Sequence, residues 1–333
     1  MEETNELRKD YLLDEWAIIS KNRSSRPFDH KQTFEKNLTK TKKVELDLNC
    51  PFCLGNEKQT PPEIFRTGSK IKWELRGFNN KFSAVQTKTE FKKERNGILE
   101  YGNAFGFHEV IVETNNHSKE LSELTKEELT DLFTAYKERE NELKRKKGVK
   151  HVLVIKNFGK ECGASLAHNH SQLITFPFIP DKIKREKEKA EEYYEKNGKN
   201  VFMEIARIEK NSERKLFENN TFVAFTAFAP KYTYEIWVMP KKQFSNLEEM
   251  DSDTLKDLGE AMKFVLEKLR TNIGNPPYNY FLHELMESNP AYCFHVKIQP
   301  NVKKVYGGIE KGSGIILIEV SPEQAAEELR KQS

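Results

Sequence analysis

The chain has 333 residues, 37% of them hydrophobic and 32% charged, which suits a globular protein with a heavily solvated surface and a sizeable core. With 55 basic against 52 acidic residues the net charge is +3, so the concentrated basic excess of a nucleic-acid-binding protein is missing. No apolar run reaches the roughly 18 residues of a membrane helix, and four cysteines do not make a disulfide scaffold in a chain this long.

The opening MEETNELRKDYLLDEW lacks the basic-then-apolar layout of an export signal, so a cytoplasmic protein is expected. The lysine-rich run Lys31 to Lys43 reads as a solvated loop. Cys50-Pro-Phe-Cys53 follows, two thiols from one tight turn that suit adjacent corners of a tetrahedral metal. A redox pair is the poorer reading, because no thioredoxin-like βαβ unit surrounds it. His117, in a turn, and His168, at the end of a later strand, are available as further ligands.

His108 to Val112 reads as a strand, and Thr125 caps a long helical pattern. His151 to Ile155 is the next strand, and the one after it carries His168-Asn-His170-Ser-Gln172. The segment DKIKREKEKAEEYYEKNGK is expected to form a charged, mostly solvated helix ended by Gly198. The order then repeats. Tyr234 to Val238 is a strand, Asp251 caps a helix, Tyr278 to Leu282 is a strand, and the last strand carries His295 and Lys297, shifted by 127 from His168 and His170. Glu109 and Glu235, Val112 and Val238, and Leu129 and Leu255 are each 126 apart, with no gap needed. An α+β fold is therefore expected, made of two duplicated halves (1–180 and 181–333), each an antiparallel sheet with flanking helices.

Alternation along a strand puts His168 and His170 on one face, so one can bind metal while the other stays free. A free imidazole beside Ser165 and Gln172 can attack phosphorus and form a phosphoramidate, with Gln172 donating to a phosphate oxygen. Asn157 and the small residues up to Ser165 offer room for phosphate. A bare H-x-H would be read as two packing histidines; this company favours a site. The remaining histidines, His30, His108 and His151, are given no role beyond solvent exposure or capping.

The H-x-H-x-Q at 168–172 resembles the active-site motif of the galactose-1-phosphate uridylyltransferases, a branch of the histidine-triad superfamily. The resemblance extends over most of the chain. It implies structural zinc on Cys50, Cys53, His117 and His168, with substrate contacts from Arg23, Arg26, Asn80 and Asn157. It also implies a homodimer in which Lys304 and Glu310 reach across to the partner's substrate. The reaction would be ping-pong: His170 attacks a nucleoside-diphosphate sugar, expels hexose 1-phosphate, and passes the nucleotide (UMP in the leading reading) to a second hexose 1-phosphate. Ser165 and Gln172 would hold phosphate oxygens.

Two departures stand out. The family's second metal site, for iron or zinc, would use Glu186, His283 and His295, but Lys297 replaces the fourth ligand. The stretch Gly307-Gly-Ile-Glu310-Lys-Gly-Ser-Gly314 and the apolar Ile315 to Ile318 look more like the ADP-glucose phosphorylase branch. The alternative reading is thus a nucleotide-sugar phosphorylase with inorganic phosphate as acceptor. A non-catalytic nucleotide-binding module is the remaining one.

Overall fold

A ten-stranded antiparallel sheet runs through the whole molecule and carries both halves of the chain. The computed structural model describes residues 5–20, 43–69, 71–88, 90–302 and 306–331. Arg23, Arg26, His30, Lys304 and all but the last residue of the Lys31–Lys43 run lie outside them.

The chain begins with β1 (Glu6–Lys9) and β2 (Trp16–Ile19), then β3 (Glu63–Gly68) and β4 (Trp73–Asn79). A hairpin, β5 (Lys93–Asn96) and β6 (Leu99–Gly102), precedes β7 (His108–Val112), α1 (Lys126–Lys144), β8 (His151–Phe158) and β9 (His170–Phe176). Two helices follow, α2 (Asp181–Asn197) and α3 (Val201–Glu209). Then come β10 (Lys215–Glu218), β11 (Phe222–Thr226), β12 (Ile236–Pro240), α4 (Ser252–Ile273), β13 (Tyr278–His283) and β14 (His295–Pro300). The chain closes with α5 (Gly308–Ser313), β15 (Ile316–Ile318) and α6 (Pro322–Arg330).

The sheet order is β10-β11-β12-β14-β13-β8-β9-β7-β4-β3. Read outward from its centre, the order is the same in both directions: three strands, a helix and two strands recur in each half. The halves meet where β8 pairs with β13, Phe158 opposite Tyr278 and Ile155 opposite Phe281. The caps Thr125 and Asp251 keep the spacing of 126, and the ladder pair Val112 opposite His170 has a counterpart 126 residues on, Val238 opposite Val296.

One face of the sheet is covered by α1 and α4. In α1, Leu129, Leu132, Phe133 and Tyr136 recur at three- and four-residue steps and are buried against β8, β13 and α4. Each such side chain contributes roughly 1.5–3 kcal/mol. The Thr125 hydroxyl accepts the Glu128 N–H, and the Glu128 carboxylate accepts the Thr125 N–H, which satisfies two donors at the helix start. In α4 the Asp251 carboxylate accepts the Thr254 N–H.

The opposite face differs between the halves. In the second it is sealed by α2 and α3, with Ile183, Ala190, Phe202 and Ile205 on Val223, Phe225 and Trp237. Although α2 is highly charged, Ile183, Glu186 and Ala190 form one buried stripe, and Gly198 ends the helix in the left-handed conformation. In the first half, among the described residues, the Cys50–Cys53 turn packs on that face, with Cys50, Phe52 and Cys53 against Trp73, Phe78, Val110 and Val112 of the sheet. Among the described residues no helix is long and apolar enough to cross a membrane.

Candidate active site and metal centre

The loop from β8 to β9 is shaped by two glycines with left-handed φ, Gly159 at 83° and Gly163 at 86°. A Cβ on Gly159 would come within 2.8 Å of Pro277. The short turn between them brings Ser165 and Leu166 to the two cavities, of about 700 and 680 Å³, that His170 also lines. Gln172, Asn80 and Phe52 line the first, Asn157 and His117 the second.

His170 Nδ1 is 2.9 Å from the His168 carbonyl oxygen. A carbonyl only accepts, so the proton is on Nδ1 and Nε2 keeps its lone pair. Phe52 packs edge-on to the ring at 5.2 Å. Burial first, and then the Lys156 charge, push the ring below the ordinary histidine pKa, which keeps it neutral.

Gln172 is oriented by a residue given no role from sequence. The Ala84 N–H donates to His108 Nδ1 at 3.3 Å, so His108 carries its proton on Nε2 and donates it to Gln172 Oε1 at 2.8 Å. Asn80 Nδ2 reaches the same oxygen at 3.4 Å. With its oxygen engaged on the protein side, the Gln172 amide group keeps its N–H donors for the cavity. His108 is therefore part of the site and not merely the head of a strand. His151, also expected at a solvated strand start, is buried, and burial holds its pKa down at about 4.

Beneath His170 lies an ion pair. Lys156 is fully buried on β8, contacts Glu113 and donates to the His170 carbonyl oxygen at 3.2 Å. Glu113 also accepts from Tyr136 at 3.3 Å. The signal in the sequence was a lone lysine inside the apolar strand HVLVIKNF. On the cavity side, Asn279 donates to the Asn157 oxygen at 2.7 Å, fixing that amide also.

Cys50, Cys53, His117 and His168 converge, their donor atoms all within 4.8 Å of one another. Cys53 Sγ lies 3.3 Å from His117 Nδ1 and 3.5 Å from His168 Nδ1, and Cys50 Sγ lies 3.6 Å from His168 Nδ1. Metal–sulfur and metal–nitrogen bonds of about 2.3 and 2.1 Å in a tetrahedron place neighbouring donors roughly 3.6 Å apart, so the set fits a tetrahedral cation. The other nitrogen of His168 donates to the Thr114 carbonyl at 2.8 Å, which turns Nδ1 toward that centre.

Glu186, His283 and His295 also come together, on α2, β13 and the start of β14. Lys297 shares their pocket and donates to Glu186 Oε1 at 2.7 Å. Glu310 stands elsewhere: its carboxylate accepts the Gly307 N–H at 2.9 Å at the start of α5, and it lines neither cavity beside His170.

A large antiparallel sheet that presents an oriented, neutral histidine beside four residues able to hold a metal is a histidine-triad arrangement. The family profile of the galactose-1-phosphate uridyl transferase N-terminal domain matches residues 1–180, and that of the HIT domain matches 209–298. The chain belongs to the galactose-1-phosphate uridylyltransferase family and is a nucleotidyl-transfer enzyme. An ADP-glucose phosphorylase of Arabidopsis thaliana is 32% identical to it over 98% of this chain and 93% of that one. A galactose-1-phosphate uridylyltransferase of Thermotoga maritima is 27% identical over 98% of both. The crystal structure of an Arabidopsis thaliana ADP-glucose phosphorylase with bound ADP-glucose superposes with a TM-score of 0.83 at 29% identity, covering 99% of this chain and 100% of that one.

Proposed function

We propose that the protein moves a nucleoside monophosphate, UMP in the leading reading, from a nucleoside-diphosphate hexose to a hexose 1-phosphate through a covalent bond to His170. The observation that carries the reading is the tautomer set by the His168 carbonyl, which leaves a neutral nitrogen lone pair at the cavity. Nε2 attacks the α-phosphorus, a P–N bond forms, and the bond to the bridging oxygen breaks. Hexose 1-phosphate departs with that electron pair. A phosphate oxygen of the acceptor then attacks the same phosphorus and returns the pair to Nε2.

In this reading Gln172 and Ser165 donate to the non-bridging oxygens as charge develops, with Asn80 and Asn157 as further substrate contacts. Arg23, Arg26 and Lys304 belong to the same proposal, as do Glu310 and a homodimer that brings it to the partner's sugar. Zinc on Cys50, Cys53, His117 and His168 is structural: it grips the residue two before His170 and so fixes the start of β9. Two duplicated halves, 1–180 and 181–333, and a cytoplasmic location complete it.

A second reading, phosphorolysis of ADP-glucose or a like nucleotide sugar, is favoured by two observations. One is the 32% identity to an ADP-glucose phosphorylase. The other is the apolar stretch Ile315 to Ile318, which offers no polar side chain to a second hexose. Intact-protein mass after incubation with UDP-glucose or ADP-glucose, without acceptor, tests both. A gain of one UMP or one AMP, absent from His170→Ala, establishes the covalent step and names the base. Discharge of the adduct by galactose 1-phosphate or by inorganic phosphate names the acceptor. No adduct from either donor overturns the proposal.

A further inference from the structure

We infer that the Lys297 ammonium stands where a second metal ion would sit, and that the pocket of Glu186, His283 and His295 is closed to metals. Both oxygens of Glu186 are already engaged. Lys297 Nζ donates to Oε1 at 2.7 Å, while His283 Nδ1 and the Tyr292 hydroxyl donate to Oε2 at 2.7 and 3.2 Å. Lys297 Nζ also lies 4.1 Å from the centroid of the Trp237 ring, a cation–π contact that a fixed ammonium makes from within the pocket.

The charges in the pocket cancel: one carboxylate, one ammonium and two neutral imidazoles. Glu186, His283, His295 and Lys297 are all buried. A divalent ion added beside Lys297 would leave two uncompensated positive charges in a region without water access, which a buried site does not sustain. His295 keeps the mark of the lost ligand set. Its Nδ1 donates to the Cys293 carbonyl at 3.0 Å, and Nε2 is a buried acceptor with no hydrogen-bond partner. Trp237, Phe202 and Tyr292 pack around that ring and seal it from solvent. The ion pair does a metal's mechanical work, tying α2 to β13 and β14.

The metal count rests on the reading that the Cys50 centre is loaded, so the test separates the two sites by colour. The full-length protein is refolded or exchanged with excess cobalt(II) and dialysed. One cobalt per chain with thiolate charge-transfer absorption is expected. No bound cobalt would contradict the reading of the Cys50 centre while leaving the Glu186 pocket closed, as inferred. A bound cobalt that persists in Cys50→Ser without thiolate absorption overturns the inference. Lys297→His, which restores a fourth ligand, should bind a second cobalt lacking those bands. A cooperatively folded Lys297→His protein with only the thiolate-bound cobalt also overturns it. If that variant does not fold, the wild-type count and spectrum still decide.

Discussion

His170 and Lys297 lie on corresponding strands, β9 and β14, one opposite Val112 and the other opposite Trp237, yet His170 lines two cavities while Lys297 is buried against Trp237 and Glu186. Around His170 the sheet is covered by a turn and a loop, which leave two openings at the ring. Around Lys297 it is covered by α2 and α3, whose side chains meet Trp237 and Tyr292 in a closed cluster. The backbone frame is shared, so reactivity depends on what covers the outer face. The helical segment α2–α3 that opens the second half closes the second site. The two lysines are also used alike: Lys156 pairs with Glu113 under His170, and Lys297 pairs with Glu186. Each neutralises a carboxylate that the apolar sheet could not otherwise hold.

The sharpest break between the two positions is chemical. His170→Ala should lower nucleotidyl transfer by at least about 10³-fold, as expected for a lost covalent nucleophile. Bound metal and melting temperature should stay near wild type, since the ring makes one backbone hydrogen bond and no ligand contact in the fold. Turnover retained by His170→Ala would end the covalent reading.

The next largest effect is expected at Lys156. Lys156→Met leaves Glu113 buried without its cation, which costs about 3–5 kcal/mol by denaturant unfolding. Adding Glu113→Gln should return most of that loss. If the double variant is no more stable than the single one, Lys156 acts through packing and not through charge. Activity in the double variant should remain below wild type, because the donor to the His170 carbonyl is gone.

Much of the site was legible because its chemistry is local. Cys50 and Cys53 share a turn, and His168, His170 and Gln172 follow one another at two-residue steps. The fold class was legible too, from two strand-helix-strand orders with capped helices. What stayed hidden depends on partners far apart in the chain. His108 reaches Gln172 only because β7 pairs with β9, and a strand-head histidine gives no sign of that register. The carbonyl that fixes the His170 tautomer could not be named until the turn before β9 was seen. The spacing of 126 is kept at the caps Thr125 and Asp251 and between the ladder pairs Val112–His170 and Val238–Val296.

His108 offers a milder test of how the open site is built. His108→Phe removes the donor that turns the Gln172 oxygen away from the cavity, leaving only the longer contact from Asn80. A neutral hydrogen bond of this kind contributes about 0.5–1.5 kcal/mol, so kcat should fall by roughly tenfold. Binding of the donor sugar nucleotide should change less than kcat, because Gln172 is proposed to act on charge that develops during transfer. A rise in KM with unchanged kcat would make His108 a ground-state contact instead.

The smallest effect concerns a third way of burying a carboxyl. Glu284 follows His283 at the end of β13 and is buried beside Glu140 of α1, and among the described residues neither has a paired cation as Glu113 has in Lys156. Burial, and for Glu140 also the Glu284 charge, raise both above the ordinary glutamate range, with Lys144 opposing weakly. Raised folded-state values mean that the stability of the protonated pair is full below the unfolded pKa and is lost as pH rises through the folded one. Glu284→Gln keeps an oxygen for the Leu247 N–H, which Glu284 accepts at 2.9 Å, while removing the second ionisation. The variant should gain about 1 kcal/mol over wild type at pH 8 and close to nothing at pH 5. Equal gains at both pH values would show that Glu284 has the same pKa in the folded and the unfolded protein, so that shape and not ionisation sets the gain.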